Sequence, residues 1–276
     1  MLETDKLLEL ALCEDIGSGD VTTRATIAAD LKGSAVVFGR EPFVLSGSKP
    51  FQRIFELLDP EIRVECLFPD GAKIGPDVCV FRIMGRVRTL LTGERTALNL
   101  VQRLSGIATM TRKMVEAIGD SHCRLLDTRK TSPLWRSLEK EAVVHGGGKN
   151  HRFGLCDGIL IKDNHIAAAG GVAQSVRLAR ENGAHSLRVE VEVENIGQLR
   201  EALEAGADIV LLDNFSPDKL REAVAVASGR VLLEASGGVN LKSVGAIAQT
   251  GVDFVSCGAI THSARAIDLT MEFSSL

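Results

Sequence analysis

The sequence has few cysteines, and their positions exclude two common uses of this residue. Six of the 276 residues are cysteines, none of them in a CxxC pair, and no zinc-finger spacing occurs. They lie at positions 13, 66, 79, 123, 156 and 257. Most of them stand in or beside apolar runs, as free cysteines in protein cores do. We therefore expect free thiols and a reducing compartment, the cytoplasm.

The sequence also lacks a long apolar run and an excess of positive charge. No run approaches the roughly 18 apolar residues that suggest a membrane helix. The N-terminal segment MLETDKLLELALCEDIG has the pattern of an acidic amphipathic helix, without the basic start or the cleavage site of a signal peptide. The net charge of −4 argues against a general nucleic-acid binder. We expect neither a membrane nor a nucleic acid as partner, and any basic site must be local.

The N-terminal part of the chain mixes helix and strand patterns in no repeating order. The patterns predict a helix over 1–15, two strands within 33–47, a helix over 51–58, and strands over 62–67 and 78–84. A longer helix is predicted from Leu90 to Ile118, with Thr92 as its N-cap. It carries Arg95 and Arg103, and a solvated side chain is the default expectation for both. A mixed order of this kind is typical of an α+β domain.

After Asp120 the pattern becomes regular and alternates apolar strands with helices. Strands are predicted over 123–126, 158–161, 187–193, 208–212, 230–234 and 252–256, and helices over 172–182, 195–205, 217–228 and 241–250. From the third strand on, the repeat is roughly twenty residues, the size of a compact βα unit. Six strands are fewer than the eight of a closed barrel. The sequence therefore predicts an α+β domain over 1–110, followed by an open parallel α/β barrel over 111–264. Residues 265–276 are candidates to pack back onto the α+β domain.

Cations cluster at the ends of the first two predicted barrel strands. The stretch from Asp127 to His165 holds Arg129, Lys130, Lys149, Arg152 and Lys162, together with His145, His151, His165 and a triple glycine. Strand ends converge in a parallel barrel, and a convergent set of cations suits a ligand with several negative charges. The alternative is a solvated charged face, since five acids lie in the same stretch. The triple glycine, which marks close backbone approach, favours a binding site.

The third and fourth predicted strands contribute carboxylates. Alternation in LRVEVEVE puts Glu190, Glu192 and Glu194 on one face, and three carboxylates within apolar packing would be costly. We therefore place Glu192 at the polar strand end, where it and Asp213 could hold Mg²⁺ or face a cationic carbon. The alternative is a set of solvated glutamates at an irregular edge.

The last two predicted strands end in small polar residues and glycines. Ser236-Gly237-Gly238 and Ser256-Cys257-Gly258 precede predicted helices, so their backbone N–H groups are candidates to bind a phosphate. One such loop would be weak evidence, but two in successive units strengthen the prediction. A phosphorylated ligand with a metal, beside a polyanionic ligand, fits the transfer of a phosphoribosyl group to a carboxylated acceptor.

Eight motifs along the chain resemble one family, in that family's order. They are EDIGSGDVTT (14–23), GERTALNLVQRLSGIAT (93–109), DTRKT (127–131), GGGKNHRFGLCDGILIKDNHI (146–166), VEVEVENIGQL (189–199), LLDN (211–214), EASGG (234–238) and GAITHS (258–263). On these motifs the chain resembles the quinolinate phosphoribosyltransferases, also named nicotinate-nucleotide pyrophosphorylases (carboxylating). The resemblance implies an N-terminal α/β sandwich domain and an open α/β barrel that work as a homodimer. It also implies phosphoribosyl transfer from 5-phosphoribosyl 1-pyrophosphate to quinolinate with decarboxylation, a step of de novo NAD biosynthesis.

The resemblance assigns roles to residues of the matching motifs. The two carboxylates of quinolinate would be held by Arg129, His151, Arg152 and Lys162. The donor and its Mg²⁺ would be served by Glu192 and Asp213, and these two residues form the implied catalytic group with Lys130 and Lys162. The 5′-phosphate would bind at Ser236, Gly237, Gly238, Ser256 and Gly258. Arg95 would enter the site of the partner subunit.

The chain departs from the family pattern directly after DTRKT. The family usually continues with Pro-Gly-Leu-Arg, whereas this sequence has Ser132-Pro133-Leu134-Trp135-Arg136, and the loss of glycine constrains the loop. Phe43 stands where a glycine is common, which we interpret as a packing change.

Two alternatives to this function remain. The related proteins of molybdate-transport operons lack the intact NHR and LIKDNH motifs present in this chain, and a non-catalytic phosphate-binding barrel would leave the basic strand ends without a purpose.

Overall fold

The computed structural model describes residues 4–274 and divides the chain into two compact units. Unit 1 comprises Met1–Met110, Ser132–Gly147 and Ala264–Leu276, and unit 2 comprises Thr111–Thr131 and Gly148–Ser263. The predicted boundaries differ from this division, since they kept residues 132–147 within the barrel domain. All six cysteines are free. No helix in the described part of the chain is long and apolar enough to cross a membrane.

Eleven helices and twelve strands are assigned within residues 4–274. The helices are α1 (Thr4–Ile16), α2 (Val21–Thr26), α3 (Ser48–Leu58), α4 (Val87–Ile118), α5 (Arg136–His145), α6 (Asp163–Ala169), α7 (Val172–Asn182), α8 (Ile196–Ala205), α9 (Pro217–Ala227), α10 (Val244–Ala248) and α11 (Ala259–His262). The strands are β1 (Lys32–Gly39), β2 (Phe43–Val44), β3 (Arg63–Cys66), β4 (Lys73–Ile74), β5 (Cys79–Arg86), β6 (Arg124–Leu126), β7 (Ile159–Ile161), β8 (Val189–Val193), β9 (Ile209–Asp213), β10 (Leu232–Ser236), β11 (Phe254–Ser256) and β12 (Leu269–Ser274).

Unit 1 contains an antiparallel sheet with the strand order β12-β1-β5-β3. Alternation along β1 buries Ala35 and Val37, which pair with the buried Ile83 and Phe81 of β5. Phe51 of α3 stacks on Phe81, with the ring centroids 4.1 Å apart, so this helix covers the apolar face of the sheet. The last strand of the chain, β12, lies at the edge of this sheet beside β1.

The long helix α4 begins earlier than predicted. It starts at Val87, directly after β5, rather than at Leu90, and Thr92 is not its N-cap. Thr92 lies within the helix, where its Oγ1 donates to Oδ2 of Asp20 at 3.2 Å. Asp20 is itself an N-cap, since its Oδ1 accepts from the backbone N–H of Thr23 at the start of α2. The capping-type residue at position 92 therefore serves a tertiary contact rather than the start of its own helix.

Helix α5 belongs to unit 1 because it shares a buried ion pair with α4. Arg103 donates through Nε and Nη2 to Oε1 of Glu139, at 3.0 and 2.8 Å, and the Glu139 side chain is 1% exposed. At the end of α5, Nδ1 of His145 lies 2.9 Å from Oγ of Ser46. The default expectation of a solvated Arg103 is therefore wrong, because a carboxylate this deeply buried requires a charged partner.

Unit 2 contains a parallel six-stranded sheet with the order β6-β11-β10-β9-β8-β7. The predicted strands are confirmed, and helices α7, α8, α9 and α10 alternate with them. The first two strands of the unit, β6 and β7, occupy opposite edges of the sheet. Within residues 4–274 no strand pairing joins these two edges, so the predicted open barrel is confirmed.

The strand register of unit 2 sorts the side chains into an apolar and a polar face. Paired residues of a parallel sheet point to the same side, so Val193, Leu212 and Ala235 form a buried apolar row. The opposite face carries the polar side chains Glu190, Glu192, Asp213, Glu234, Ser236 and Ser256. Of the three alternating glutamates, Glu190 is 5% exposed, Glu192 is half-buried near the carboxyl end of β8, and Glu194 lies beyond the strand.

A turn that normally requires glycine lies where the sequence departs from the family that it resembles. The backbone N–H of Trp135 donates to the carbonyl of Ser132 at 3.2 Å, which closes a four-residue turn with Pro133 and Leu134 at its centre. Leu134 has a φ of 70°, the left-handed conformation that type II turns impose on their third residue. Its side chain is 62% exposed and therefore gains little from packing. Leu134 therefore adopts the conformation that the turn requires at a cost in conformational energy.

Replacing Leu134 with glycine is expected to stabilise the protein. A non-glycine residue in the left-handed region destabilises the folded state by about 1–2 kcal/mol, and glycine removes this strain. The greater freedom of glycine in the unfolded chain offsets about half of the gain in stability. The expected gain of roughly 0.5–1 kcal/mol corresponds to a rise of about 2 °C in melting temperature. Thermal unfolding followed by circular dichroism checks this, with Leu134→Ala as the matched control that keeps the strain. Equal melting temperatures for the two variants would contradict the strain argument.

Candidate active site

Lys162 and Glu192, both predicted site residues, are brought together by adjacent strands. Lys162 directly follows β7, and Glu192 lies on β8, which pairs with β7. Nζ of Lys162 lies 2.5 Å from Oε2 of Glu192. The lysine side chain is 48% exposed and the glutamate 15%, so the pair lies where a ligand from solvent can reach the lysine. The backbone N–H of Lys162 also donates to Nδ1 of His165, which fixes the start of α6.

Asp213 is held next to the first glycine loop by its chain neighbour. Asn214 has a φ of 55°, and its Nδ2 donates to Oδ2 of Asp213 at 2.7 Å. The backbone N–H of Asn214 donates to the carbonyl of Ser236, the last residue of β10. A Cβ at Gly237 would lie 2.1 Å from Oδ1 of Asn214, so only glycine fits beside that side chain. The LLDN and EASGG motifs therefore contact each other at the carboxyl ends of β9 and β10.

The two predicted phosphate loops differ in their distance from the next helix. After Gly238 the helix α10 begins only at Val244, later than predicted, because Asn240 starts a turn in which its Oδ1 accepts from the backbone N–H of Lys242. After the second loop, α11 begins directly behind Gly258. We predicted that each loop binds a phosphate at the start of a helix. Only the second loop is followed directly by a helix.

Lys130 packs over the second glycine loop. A Cβ at Gly258 would lie 2.8 Å from Cδ of Lys130, so a larger residue would displace the lysine. Oγ1 of Thr261 in α11 donates to the backbone carbonyl of Lys130 at 2.8 Å, which ties the loop after β6 to the loop after β11. Lys130 and Gly258, predicted to serve the same substrate, thus lie side by side.

Two further predicted residues, Arg129 and Arg152, lie near each other. Burial lowers the pKa of Arg152, and the positive charge of Arg129 lowers this pKa further, whereas Glu190 and Asp157 raise it. Nη1 of Arg152 donates to the backbone carbonyl of Gly158 at 2.9 Å. Two arginine charges that lie near each other repel, and an anionic ligand beside them relieves that repulsion. This pair is therefore suited to bind a carboxylate.

The ring of His151, predicted to contact the substrate, lies beside two buried acids. Its Nε2 lies 3.1 Å from Oε2 of Glu190 and 3.7 Å from Oε2 of Glu234, and its side chain is 13% exposed. Among the described residues these three also form a group whose possible metal-ligating atoms all lie within 4.8 Å of one another. Burial, and then the neighbouring Glu190, raise the pKa of Glu234 to about 7.

Glu190 and Glu234 were not among the predicted site residues. The alternation of VEVEVE places Glu190 on the same face as Glu192, and the prediction is that at least one of these glutamates reaches the polar strand end, with Glu192 as the choice. Glu234 follows the apolar residues of β10, and such a carboxylate inside an apolar strand is itself a signal that a polar partner lies in the interior.

The remaining predicted residue, Arg95, lies in unit 1. It stands on α4 with an exposed side chain. The other predicted site residues all belong to unit 2.

The chain matches two family models and long relatives over almost its whole length. Residues 20–105 match the N-terminal domain of quinolinate phosphoribosyl transferase, and residues 107–272 match its C-terminal domain. A probable nicotinate-nucleotide pyrophosphorylase (carboxylating) of Bacillus subtilis is 42% identical over 271 residues, which are 98% of this chain and 93% of the relative. A mitochondrial quinolinate phosphoribosyltransferase (decarboxylating) of Nicotiana tabacum is 38% identical, over 98% of this chain and 82% of the relative.

A solved structure agrees with these relatives in fold. The nicotinate-nucleotide pyrophosphorylase from Francisella tularensis superposes with a TM-score of 0.94 at 44% identity, over 98% of this chain and 95% of that one. The human nicotinic acid phosphoribosyltransferase, at 13% identity and a TM-score of 0.64, is similar in fold alone. With both domains matched in order and relatives aligned nearly end to end, this chain belongs to the quinolinate phosphoribosyl transferase family.

Proposed function

We propose that this chain transfers the phosphoribosyl group of 5-phosphoribosyl 1-pyrophosphate to quinolinate, with loss of CO₂, giving nicotinate mononucleotide and pyrophosphate in de novo NAD biosynthesis. The observation that supports the proposal is the pairing of Lys162 with Glu192 across adjacent strands of unit 2, on the same face of the sheet as Asp213. Arg129 lies near Arg152, and Lys130 packs on Gly258. A non-catalytic phosphate-binding barrel would leave the basic residues that follow β6 and β7 without a purpose.

Quinolinate carries two adjacent carboxylates, and we assign them to Arg129, Arg152 and Lys162. Charge-assisted hydrogen bonds from these cations fix the position and the orientation of the pyridine ring. The ring nitrogens of His151 face Glu190 and the backbone N–H of Arg152, and its contact with quinolinate stays a prediction of the resemblance.

The chemistry of the transfer consists of two bond exchanges. The bond between C1 of the ribose and pyrophosphate breaks with oxocarbenium character, and the pyridine nitrogen attacks C1. The ring nitrogen then carries a positive charge, which stabilises the electron pair left on the ring when the 2-carboxylate departs as CO₂; a proton replaces the carboxylate. The protein chiefly orients the two substrates and supplies electrostatic stabilisation.

Glu192 and Asp213 fit a Mg²⁺ ion in the chemistry of their donor atoms. Both offer carboxylate oxygens, which this ion prefers, and both lie near the carboxyl ends of neighbouring strands on the polar face of the sheet. Bound there, Mg²⁺ would neutralise charge on the pyrophosphate leaving group. Lys130 is placed to add a positive charge near the same substrate.

We assign the 5′-phosphate to the two glycine loops, at Ser236, Gly237, Gly238, Ser256 and Gly258. The hydroxyl of Ser256 is buried and hydrogen-bonds to Glu234, so it contributes through its backbone. Gly237 and Gly238 have φ values of 95° and 60°, and successive N–H groups of a glycine turn are a common anion-binding arrangement. We further propose a cytoplasmic homodimer in which Arg95 serves the partner's site.

The decisive test of this function is release of labelled CO₂ from quinolinate labelled in its 2-carboxylate. Release is expected only when 5-phosphoribosyl 1-pyrophosphate and Mg²⁺ are both present. Nicotinate, which lacks the 2-carboxylate, serves as the control acceptor, and no nucleotide is expected from it at matched concentration. Folded protein that releases no CO₂ under these conditions would refute the proposal and favour the molybdate-operon type of relative.

Replacing Asp213 with asparagine is expected to weaken Mg²⁺-dependent turnover while quinolinate still binds. The variant removes a charged oxygen ligand but leaves Arg129 and Arg152 unchanged. Turnover measured against Mg²⁺ concentration, together with calorimetric binding of quinolinate, checks this. Glu192→Gln should affect Mg²⁺ in the same direction, but it is less specific because Glu192 also holds Lys162. An equal loss of quinolinate affinity in both variants would point to a structural role.

A further inference from the structure

Residues 149–151 extend the edge of the unit 2 sheet next to β6. The backbone N–H of Lys149 donates to the carbonyl of Leu125 at 2.8 Å, and the N–H of Asp127 donates to the carbonyl of Lys149 at 3.1 Å. Leu126 and Lys149 form a parallel bridge. Further along, the N–H of His151 donates to Oδ1 of the fully buried Asp127 at 2.9 Å. This short segment is therefore attached to one edge of the open barrel.

Arg152, the next residue in the chain, reaches toward the other edge. Its guanidinium donates to the carbonyl of Gly158, the residue directly before β7. Residues 149–152 thus connect the two edge strands of the sheet, β6 and β7. The backbone conformation at His151 and Arg152 decides where the guanidinium of Arg152 lies.

The ring of His151 fixes this conformation from the interior. Its Nδ1 accepts a hydrogen bond from the backbone N–H of Arg152 at 2.7 Å. A ring nitrogen that accepts carries no proton, so the proton of the neutral ring is on Nε2, which donates to Oε2 of Glu190 at 3.1 Å. A doubly protonated ring would bring two N–H groups against each other at Nδ1.

The same hydrogen bonds decide between two uses of the His151, Glu190 and Glu234 cluster. A metal ion at Nε2 needs the lone pair of that nitrogen, and the proton would then have to move to Nδ1. Nδ1 already faces the backbone N–H of Arg152. The geometry therefore favours a hydrogen-bonded cluster over a metal site.

Glu190 is a costly residue to keep at this position. Its side chain is buried, and its Oε1 has no hydrogen-bond partner among the described residues; the same holds for Oε1 of Glu234. A buried carboxylate that lacks part of its hydrogen bonds destabilises the fold, and an apolar residue of similar volume would usually be more stable there. The presence of Glu190 at this position is explained if its hydrogen bond to His151 contributes to substrate binding.

We propose that Glu190 is a positioning residue for quinolinate binding. It holds His151 as the Nε2–H tautomer, His151 holds the backbone turn at Arg152, and the turn presents the guanidinium of Arg152 to the substrate. In this scheme His151 serves the site through the backbone of Arg152. The inference rests on the proposed function for the identity of the substrate, but the hydrogen-bond chain itself does not depend on it.

The test compares Glu190→Leu, which removes the acceptor at similar volume, with Glu190→Gln, which keeps an acceptor oxygen. Glu194→Leu, an exposed position just beyond the same strand, is the matched control. Glu190→Leu is expected to raise KM for quinolinate by roughly tenfold, the effect of weakening one charge-assisted contact, while KM for 5-phosphoribosyl 1-pyrophosphate changes by less than about twofold. Glu190→Gln should stay close to the wild type.

Nitrogen-15 NMR of the histidine rings gives a readout independent of activity. The resonances of His151 are assigned by their loss in His151→Gln, and the wild-type ring is expected as the neutral Nε2–H tautomer, a state that Glu190→Leu should disturb. A protonated Nδ1 in the wild type, a shift of these resonances on adding Mg²⁺, or an unchanged quinolinate KM in folded Glu190→Leu would each overturn the proposal. Absence of CO₂ release from the wild type would refute the proposed function instead, and the NMR result would still decide the tautomer.

Discussion

Replacing Arg152 with alanine is expected to raise the quinolinate concentration needed for half-saturation by about 10- to 100-fold. A hydrogen bond to a charged group contributes about 1.5–3 kcal/mol, and each 1.4 kcal/mol is a factor of ten. The residue is suited to this effect because it is half-buried and the positive charge of Arg129 acts on it, so an anion that binds there relieves the repulsion. Saturation by 5-phosphoribosyl 1-pyrophosphate should change far less.

The measurement is steady-state kinetics with each substrate varied in turn. Arg200→Ala removes an exposed arginine from α8 in the same unit and should leave both saturation curves unchanged. Arg152→Lys is expected to recover only part of the affinity, because an ammonium cannot make the paired contacts of a guanidinium. An unchanged quinolinate curve in folded Arg152→Ala would remove this residue from the substrate site.

The barrel of unit 2 was predictable from sequence because its information is local. Each βα unit carries its own apolar strand, its own helix and a glycine or polar residue between them, so the pattern alone yields six strands. The side-chain alternation also follows locally, which is why Glu190 and Glu192 could be placed on one face. Convergence of strand ends then follows from parallel pairing without further information.

The features that the sequence did not predict depend on contacts between distant residues. His151 meets Glu190 only because residues 149–151 return to the edge of β6, and no local pattern announces that return. Helix α5 joins unit 1 because Arg103 and Glu139 form a buried ion pair 36 positions apart in the chain. The two charged residues of that pair look like ordinary surface residues when each is read alone.

The loop after DTRKT shows a third kind of limit. Proline followed by leucine does not predict a turn with positive φ, since glycine is the residue that adopts it without strain. Leu134 nevertheless has that conformation. The surrounding structure imposes the turn on Leu134. The sequence shows that glycine is missing here, but it does not show that the turn is nevertheless formed.

Mixing Arg95→Ala chains with Lys162→Ala chains is expected to restore activity that neither variant has alone. The proposed homodimer puts Arg95 of each subunit into the site of its partner, while Lys162 serves its own barrel. In a mixed dimer one site then lacks both residues and the other site has both. A twofold dimer is the commonest oligomer geometry, and random exchange gives half of all dimers as mixed ones with one working site of two, so recovery should approach about a quarter of wild-type activity.

The experiment requires full subunit exchange, by joint refolding or by joint expression of two differently tagged chains. Arg152→Ala mixed with Lys162→Ala is the matched control, because both residues belong to unit 2 and serve the same site, so every dimer should stay impaired. Recovery in the first mixture but not in the second would support the exchange of Arg95 between subunits. Fully exchanged Arg95→Ala and Lys162→Ala chains that remain as inactive as their parents would show that Arg95 acts within its own subunit or not at all.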